Sequence, residues 1–236
     1  MIKIENLEIY GWEVAIRGMR NPMNSWDKSD SRRCEDIPCE KCALMGNPKC
    51  DTTSDLEFVI GNNDLALMKK LVKAGTDHSK FMRMITVSCD ITAPMYWWKE
   101  FDTYKVGTVR NSCSTMHTIA KKEFTLDDFS HEHLFNGECN RVIEVLENIC
   151  DTLNRYRYIY LETKDKKYWW QMIQLLPSSY NQRATVQLNY QVLRNMYHSR
   201  KNHKLDEWRE FCKWMESLPY AELIIGGTQD DQNSLR

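Results

Sequence analysis

Apolar residues alternate at the start of the chain: Ile2, Ile4, Leu7 and Ile9, then Val14 and Ile16 beyond Gly11. That pattern predicts a strand, a turn at Gly11, and a second strand or helix. Residues 21–62 have no period; Asn-Pro, Ser and Asp clusters and four cysteines mark them as a loop or insert. Over 63–75 the pattern turns helical. Leu65, Met68, Leu71 and Val72 share a face, Asn62 or Asn63 can cap, and Gly75 can terminate. Partial alternation over 80–93 predicts a strand broken by Pro94, and Met95–Tyr104 reads as a helix with an aromatic face. Gly107–Ser114 is polar and turn-like, and Thr125–Asp128 can cap a short helix. Val142, Val145, Leu146, Ile149 and Leu153 define one face of a long helix over 138–157. Two more helices are predicted over 184–200 and 205–217, the second on Leu205, Trp208, Phe211, Cys212 and Met215, followed by a polar tail.

Length and charge narrow the picture. A chain of 236 residues can bury a real core as one domain without disulfide staples. Lys and Arg total 32 against 33 Asp and Glu, so bulk electrostatics argue against nucleic acid as the partner. No run of 18 apolar residues exists and the N-terminus lacks a signal-peptide core, so no membrane partner is expected and a cytoplasmic protein is. Eight Trp and eleven Tyr with only nine Gly suit an aromatic-lined cavity or interface better than a loop-rich scaffold.

The densest chemical feature is Cys34, Cys39, Cys42 and Cys50. Four thiolates can hold zinc tetrahedrally, but only Cys39 and Cys42 have the two-residue gap of a zinc knuckle. A structural metal, free thiols in an insert, and redox or disulfide chemistry all remain open readings.

The segment 184–200, read as one helix, carries Val186, Tyr190, Leu193 and Tyr197 on an apolar stripe. Asn189, Met196 and Arg200 form a second stripe, and Gln191 with Asn195 a third. Amides present fixed donor and acceptor patterns, and an Arg at a helix end is a fixed cationic fork. A recognition surface and a helix packed between neighbours both fit that pattern.

These residues resemble the flavin-dependent thymidylate synthases. That family has Leu-Pro, about a dozen residues, then Asn-x-Arg-x-x-x-Asn-x-x-x-x-Arg; here stand Leu176-Pro177, Asn189, Gln191, Asn195 and Arg200. Asp77-His78 resembles the family's Glu-His pair, and Ala93-Pro94-Met95-Tyr96 its Ala-Pro-aromatic helix start. The hallmark Arg-His-Arg-x-x-Ser-x-Asn-x-x-Ser-x-Arg-Tyr is degenerate. Asn111 and Ser114 agree, while Lys105 replaces the His, Met116 the phosphate-holding Arg, and Ile173 the Arg before Leu-Pro. The chain looks like a divergent branch of the phage and prophage kind, which would place it in a host cytoplasm.

The resemblance implies an α+β fold, with a sheet flanked by long helices and sites formed where subunits meet in a homotetramer. Over residues 1–236 it implies one such domain, with the Cys-containing insert at about 21–62. It implies one-carbon transfer, methylation or hydroxymethylation, to C5 of a pyrimidine nucleotide such as dUMP. FAD would be the cofactor, with methylenetetrahydrofolate and NADPH as co-substrates. His78, Lys105, Asn189, Gln191 and Asn195 would contact flavin. Arg200 would be catalytic, sitting on the pyrimidine edge to stabilise charge at N3 and O4. Glu100, Asn111, Ser112, Cys113, Ser114 and Thr115 would bind substrate with it, the loop hydroxyls holding phosphate beside Lys105 and Arg110. A carboxylate at Glu100 would favour a base with an amino group, as in a dCMP-like substrate. The rival class is a non-catalytic nucleotide- or nucleic-acid-binding protein whose Cys insert is stabilised by zinc.

Overall fold

A computed structural model describes residues 2–33, 58–137 and 141–226. The elements run β1 (Lys3–Tyr10), α1 (Trp12–Arg20), β2 (Arg32–Arg33), β3 (Phe58–Val59), α2 (Asn62–Lys73), β4 (Thr86–Pro94), α3 (Met95–Phe101) and β5 (Val109–Ser112). After these come α4 (Thr115–Thr118), α5 (Val142–Thr163), α6 (Lys166–Leu175), β6 (Asn181–Asn189), α7 (Tyr190–Arg200), α8 (Asp206–Glu216) and α9 (Glu222–Ile225). The architecture is α+β. Four strands form one sheet in the order β1-β4-β6-β5, and β2 pairs antiparallel with β3 in a small second sheet. The chain divides into two compact units, one of Met1–Ile4, Ile91–Thr103 and Arg110–Thr185, the other of Glu5–Asp90, Tyr104–Val109 and Val186–Arg236.

In the first unit α5 and α6 form a helical hairpin over a core of Ile119, Phe124, Phe129, Leu146, Cys150, Leu153 and Met172. Helix α5 outlasts the predicted 157 and runs to Thr163, until Lys164 turns left-handed at φ 55°. Asp165 then caps α6, its carboxylate accepting from Lys167 N–H at 3.0 Å. The expected cap at Thr125 forms as a reciprocal capping box with Asp128, over a single 3-10 turn.

In the second unit Gly11 stands at φ 91°, where a Cβ would lie 2.1 Å from the Met84 carbonyl oxygen. Only glycine lets β1 turn so tightly into α1. The turn delivers Trp12, 3% exposed, edge-on between Tyr190 and Tyr220 at 5.1 Å from each ring. Helices α7, α8 and α9 pack together around Leu193, Met196, Trp208, Phe211 and Leu223, all fully buried. Gly75, at φ 108°, ends α2 as expected, although Gly61 rather than an Asn occupies the N-cap.

Three expectations need correction. The single helix over 184–200 is a strand, β6, followed by α7, with the break at Asn189. Ala184, Val186 and Leu188 are buried while Arg183, Thr185 and Gln187 are exposed, a period of two. Val186 and Tyr190, four apart, satisfy strand and helix periods alike, which hid the change. The turn-like Gly107–Ser114 contains β5. The strand predicted over 80–93 starts late, because Lys80–Arg83 is a 3-10 turn.

Candidate functional site

The family-like residues fall in two groups, one in each unit. In the second unit the group centres on the start of α7. Asn189 is the last residue of β6, and its Oδ1 accepts from Val192 N–H at 3.1 Å as the helix N-cap. The Tyr104–Val109 segment passes directly over this cap. Gly107 has φ 76°, and a Cβ there would meet Asn189 Nδ2 at 2.9 Å and Val192 Cγ2 at 3.2 Å. An open cleft of about 260 Å³ is lined here by Thr86, Gly107, Thr108, Val109, Gln187 and Asn189. The buried Thr108 Oγ1 has no hydrogen-bond partner among the described residues, an uncommon state for a buried hydroxyl.

Gln191 is 5% exposed and satisfied within the protein. Its Oε1 accepts from the Ser79 hydroxyl at 3.0 Å, and its Nε2 donates to Asn195 Oδ1 at 3.1 Å. The Asn195 side chain lies at the surface, and so does His78, next to Ser79. The amide at 191 thus fixes Asn195 and the 75–79 turn to one another. Lys105 is exposed at the tip of the overpassing segment.

Arg200, in the last turn of α7, donates from Nε to the Tyr104 hydroxyl at 2.9 Å. Its guanidinium carbon lies 4.9 Å from the Trp208 ring centroid and 5.6 Å from that of Tyr104. The fork is therefore held by two aromatic rings. Tyr104 and Trp208 are partners that sequence reasoning did not assign to Arg200; nothing local links Tyr104 to it, 96 residues away.

In the first unit the group is the loop after β5. Cys113 N–H donates to Arg183 O at 2.8 Å. Gln182 Nε2 donates to Cys113 O at 2.8 Å and to Thr115 Oγ1 at 3.2 Å. Gln182 Oε1 in turn accepts from Arg110 Nη2 at 2.5 Å. Arg110 is paired through Nη1 with Asp102 at 2.6 Å and stacked 3.9 Å above Trp98. Arg110 is thus built into a network, where the sequence reading set it, with Lys105, beside a phosphate. Gln182, at the network's centre, was missed because nothing marks a Gln in a strand. Asn111, Ser112 and Cys113 are exposed, Ser114 and Thr115 half-buried, and Glu100 is half-buried at the end of α3.

Burial pushes the Cys89 and Cys212 thiols up to about 12 and raises Cys150 as well. Of the four described cysteines only Cys113 is exposed. The set Cys34, Cys39, Cys42 and Cys50 lies outside the described residues. Among those described, no group of three or more His, Cys, Asp or Glu is placed to hold a metal ion. No described helix is long and apolar enough to cross a membrane.

No protein-family model matches the sequence, and no curated protein matches it. Solved structures do. A flavin-dependent thymidylate synthase, ThyX from Helicobacter pylori, complexed with FAD and dUMP, superposes with a TM-score of 0.66 at 15% identity, over 96% of this chain and 100% of that one. A second structure of the same enzyme with FAD and dUMP gives 0.63 at 15% identity, over 98% and 99%. PolB, a UMP/dUMP methylase from Streptomyces cacaoi bound with 5-Br dUMP, gives 0.57 at 10% identity, over 99% and 95%. The chain has the thymidylate synthase fold of the flavin-dependent kind.

Proposed function

We propose that this protein transfers a one-carbon unit to C5 of a pyrimidine nucleotide, with dUMP as the first candidate. The observation that carries the reading is the fold likeness over 96% of the chain to an enzyme complexed with FAD and dUMP. Its support in the chain itself is Arg200, held in place by Tyr104 and Trp208.

FAD fits the second-unit group in part. The unpartnered Thr108 hydroxyl, the Asn189 amide nitrogen and the glycine at 107 offer donors and close backbone approach. A cleft of about 260 Å³ takes a ring edge or a phosphate rather than a whole dinucleotide. Asn189, Asn195, His78 and Lys105 would hold it, and Gln191 would act by positioning Asn195. When bound, flavin supplies reducing equivalents and the relay for a carbon taken from methylenetetrahydrofolate, with NADPH as reductant.

The chain's own work is binding and electrostatics. Making C5 a nucleophile requires negative charge on the O4 and N3 edge of the base, as when N3 gives up its proton. A guanidinium fixed in advance stabilises that charge without reorganising, the kind of contribution that costs about 2.7–4 kcal/mol when one donor is removed. Arg200 takes this role. Ser112, Cys113, Ser114, Thr115 and Asn111 bind the nucleotide, with Glu100 facing the base. The assembly is a homo-oligomer, in keeping with apolar side chains exposed on the α5–α6 hairpin, where Val145 is 58%, Tyr158 65% and Trp170 44% exposed.

The test is release of tritium from C5-labelled dUMP with methylenetetrahydrofolate and reduced flavin, beside the visible spectrum on FAD titration. Tritium release that requires flavin is expected. A protein that binds no flavin and releases no label from any pyrimidine nucleotide overturns the reading in favour of a binding module.

A further inference from the structure

Gln182 touches the loop that the proposed function gives to the nucleotide, yet that reading leaves it without a role. A glutamine amide can face either way, so its polarity must be set by its neighbours. Here they leave one answer. A guanidinium only donates, so the end facing Arg110 Nη2 is Oε1. Arg110 cannot swing away, because Asp102 holds its Nη1 and Trp98 lies flat beneath it. Trp98 is fixed in turn, 2% exposed with Nε1 donating to the Gln182 carbonyl oxygen at 2.9 Å.

The nitrogen end therefore faces the loop. One hydrogen goes to Cys113 O, which only accepts, and the other to Thr115 Oγ1. A hydroxyl that accepts from an amide still has one proton to give. Among the described residues no acceptor takes the Thr115 proton. The neighbouring Thr118 hydroxyl donates to Ser114 O at 2.8 Å and makes no hydrogen bond with Thr115.

We propose that Gln182, held by Arg110, is a positioning residue that makes the Thr115 hydroxyl an outward hydrogen-bond donor for a phosphate oxygen of the nucleotide. The proposal rests on the nucleotide reading above, with the phosphate at this loop, and adds the residue that fixes the polarity of the loop's donor. A phosphate monoester supplies anionic acceptors, and a hydroxyl donating to an anion makes a short, charge-assisted bond. A carboxylate at 182 would keep Arg110 but turn lone pairs toward Cys113 O and draw the Thr115 proton inward. The same contacts would then present the ligand with an acceptor.

The experiment compares binding of dUMP and of deoxyuridine, which lacks the phosphate, by calorimetry on the full chain. Thr115→Val is expected to weaken dUMP by about 10–100-fold, the range for a hydrogen bond to a charged group, and deoxyuridine by less than about 2-fold. Thr115→Ser restores dUMP binding. Gln182→Glu reproduces the loss for dUMP and spares deoxyuridine, and the double variant Q182E/T115V is no weaker than T115V alone, as expected of residues acting as one unit. Equal weakening of both ligands, or additive losses in the double variant, overturns the assignment and leaves the nucleotide reading standing. A wild-type protein that binds neither ligand removes both.

Discussion

Arg200 and Tyr104, 96 residues apart, meet at 2.9 Å, the guanidinium Nε donating to the phenol oxygen. Trp208 beneath the guanidinium supplies a second constraint. The fork at the end of α7 is thus aimed before any ligand arrives. Tyr104→Phe removes only the acceptor and is expected to lower turnover of dUMP by roughly 10-fold, the scale of one charge-assisted hydrogen bond. Arg200→Ala is expected to lower it by about 100–1000-fold. Steady-state rates on the two variants check this; equal rates for Tyr104→Phe and wild type would make the tyrosine contact incidental.

Gly107 lies over the cap of α7 at φ 76°, with Asn189 Nδ2 2.9 Å from where a Cβ would stand. Gly107→Ala forces a left-handed backbone on alanine, at about 1–2 kcal/mol, and pushes the amide out of place. A lower denaturation midpoint and weaker FAD binding should appear together. If the midpoint falls while flavin affinity holds, the cleft beside Thr108 is not the flavin's.

The legible parts of the sequence were those with one period. Gly11, Gly75 and Thr125 punctuate as expected because each meets a backbone demand that few residues satisfy. The strand–helix junction at Asn189 was not legible. Val186 and Tyr190 fit both periods, and an Asn inside an apolar pattern reads as a helix face as readily as a cap. The candidate site was legible only as residue types at spacings, since Asn189, Asn195 and Arg200 lie within one short stretch. What fixes them was not. Ser79 reaches Gln191 across 112 positions and Arg110 reaches Gln182 across 72, and only folding brings such pairs together.

Asp64 makes a buried test case outside the site. It is fully buried and pairs with Arg20 Nε at 2.6 Å, and the Ser29 and Ser31 hydroxyls both donate to its Oδ2. Burial alone would raise its pKa, but the hydrogen bonds from Ser29, Ser31 and Arg20 and the Arg20 charge hold it below the usual value. Its contribution to stability is therefore complete above the unfolded pKa, about 3.9, and is lost as pH falls through the lower folded value. Asp64→Asn leaves the Arg20 charge buried without its partner and should cost about 3 kcal/mol near neutral pH. Denaturant titrations should show the gap between variant and wild type closing below about pH 4. A gap that persists there would mean the ion pair is not the source.

His198 should set the stability slope on the other side of pH 5. Burial lowers its pKa, and Arg194 and Lys201 lower it further against a backbone hydrogen bond with Ile224, while its buried Nε2 has no hydrogen-bond partner among the described residues. The unfolded chain, with an ordinary histidine near 6.5, takes up a proton before the folded one does. Stability from this group is thus present above about pH 6.5 and lost as pH falls through the depressed folded value. His198→Gln removes the titration and keeps a polar side chain of similar reach. Denaturant midpoints at pH 5.5 and 7.5 should differ less in this variant than in wild type. An unchanged difference would place the acid sensitivity on another group.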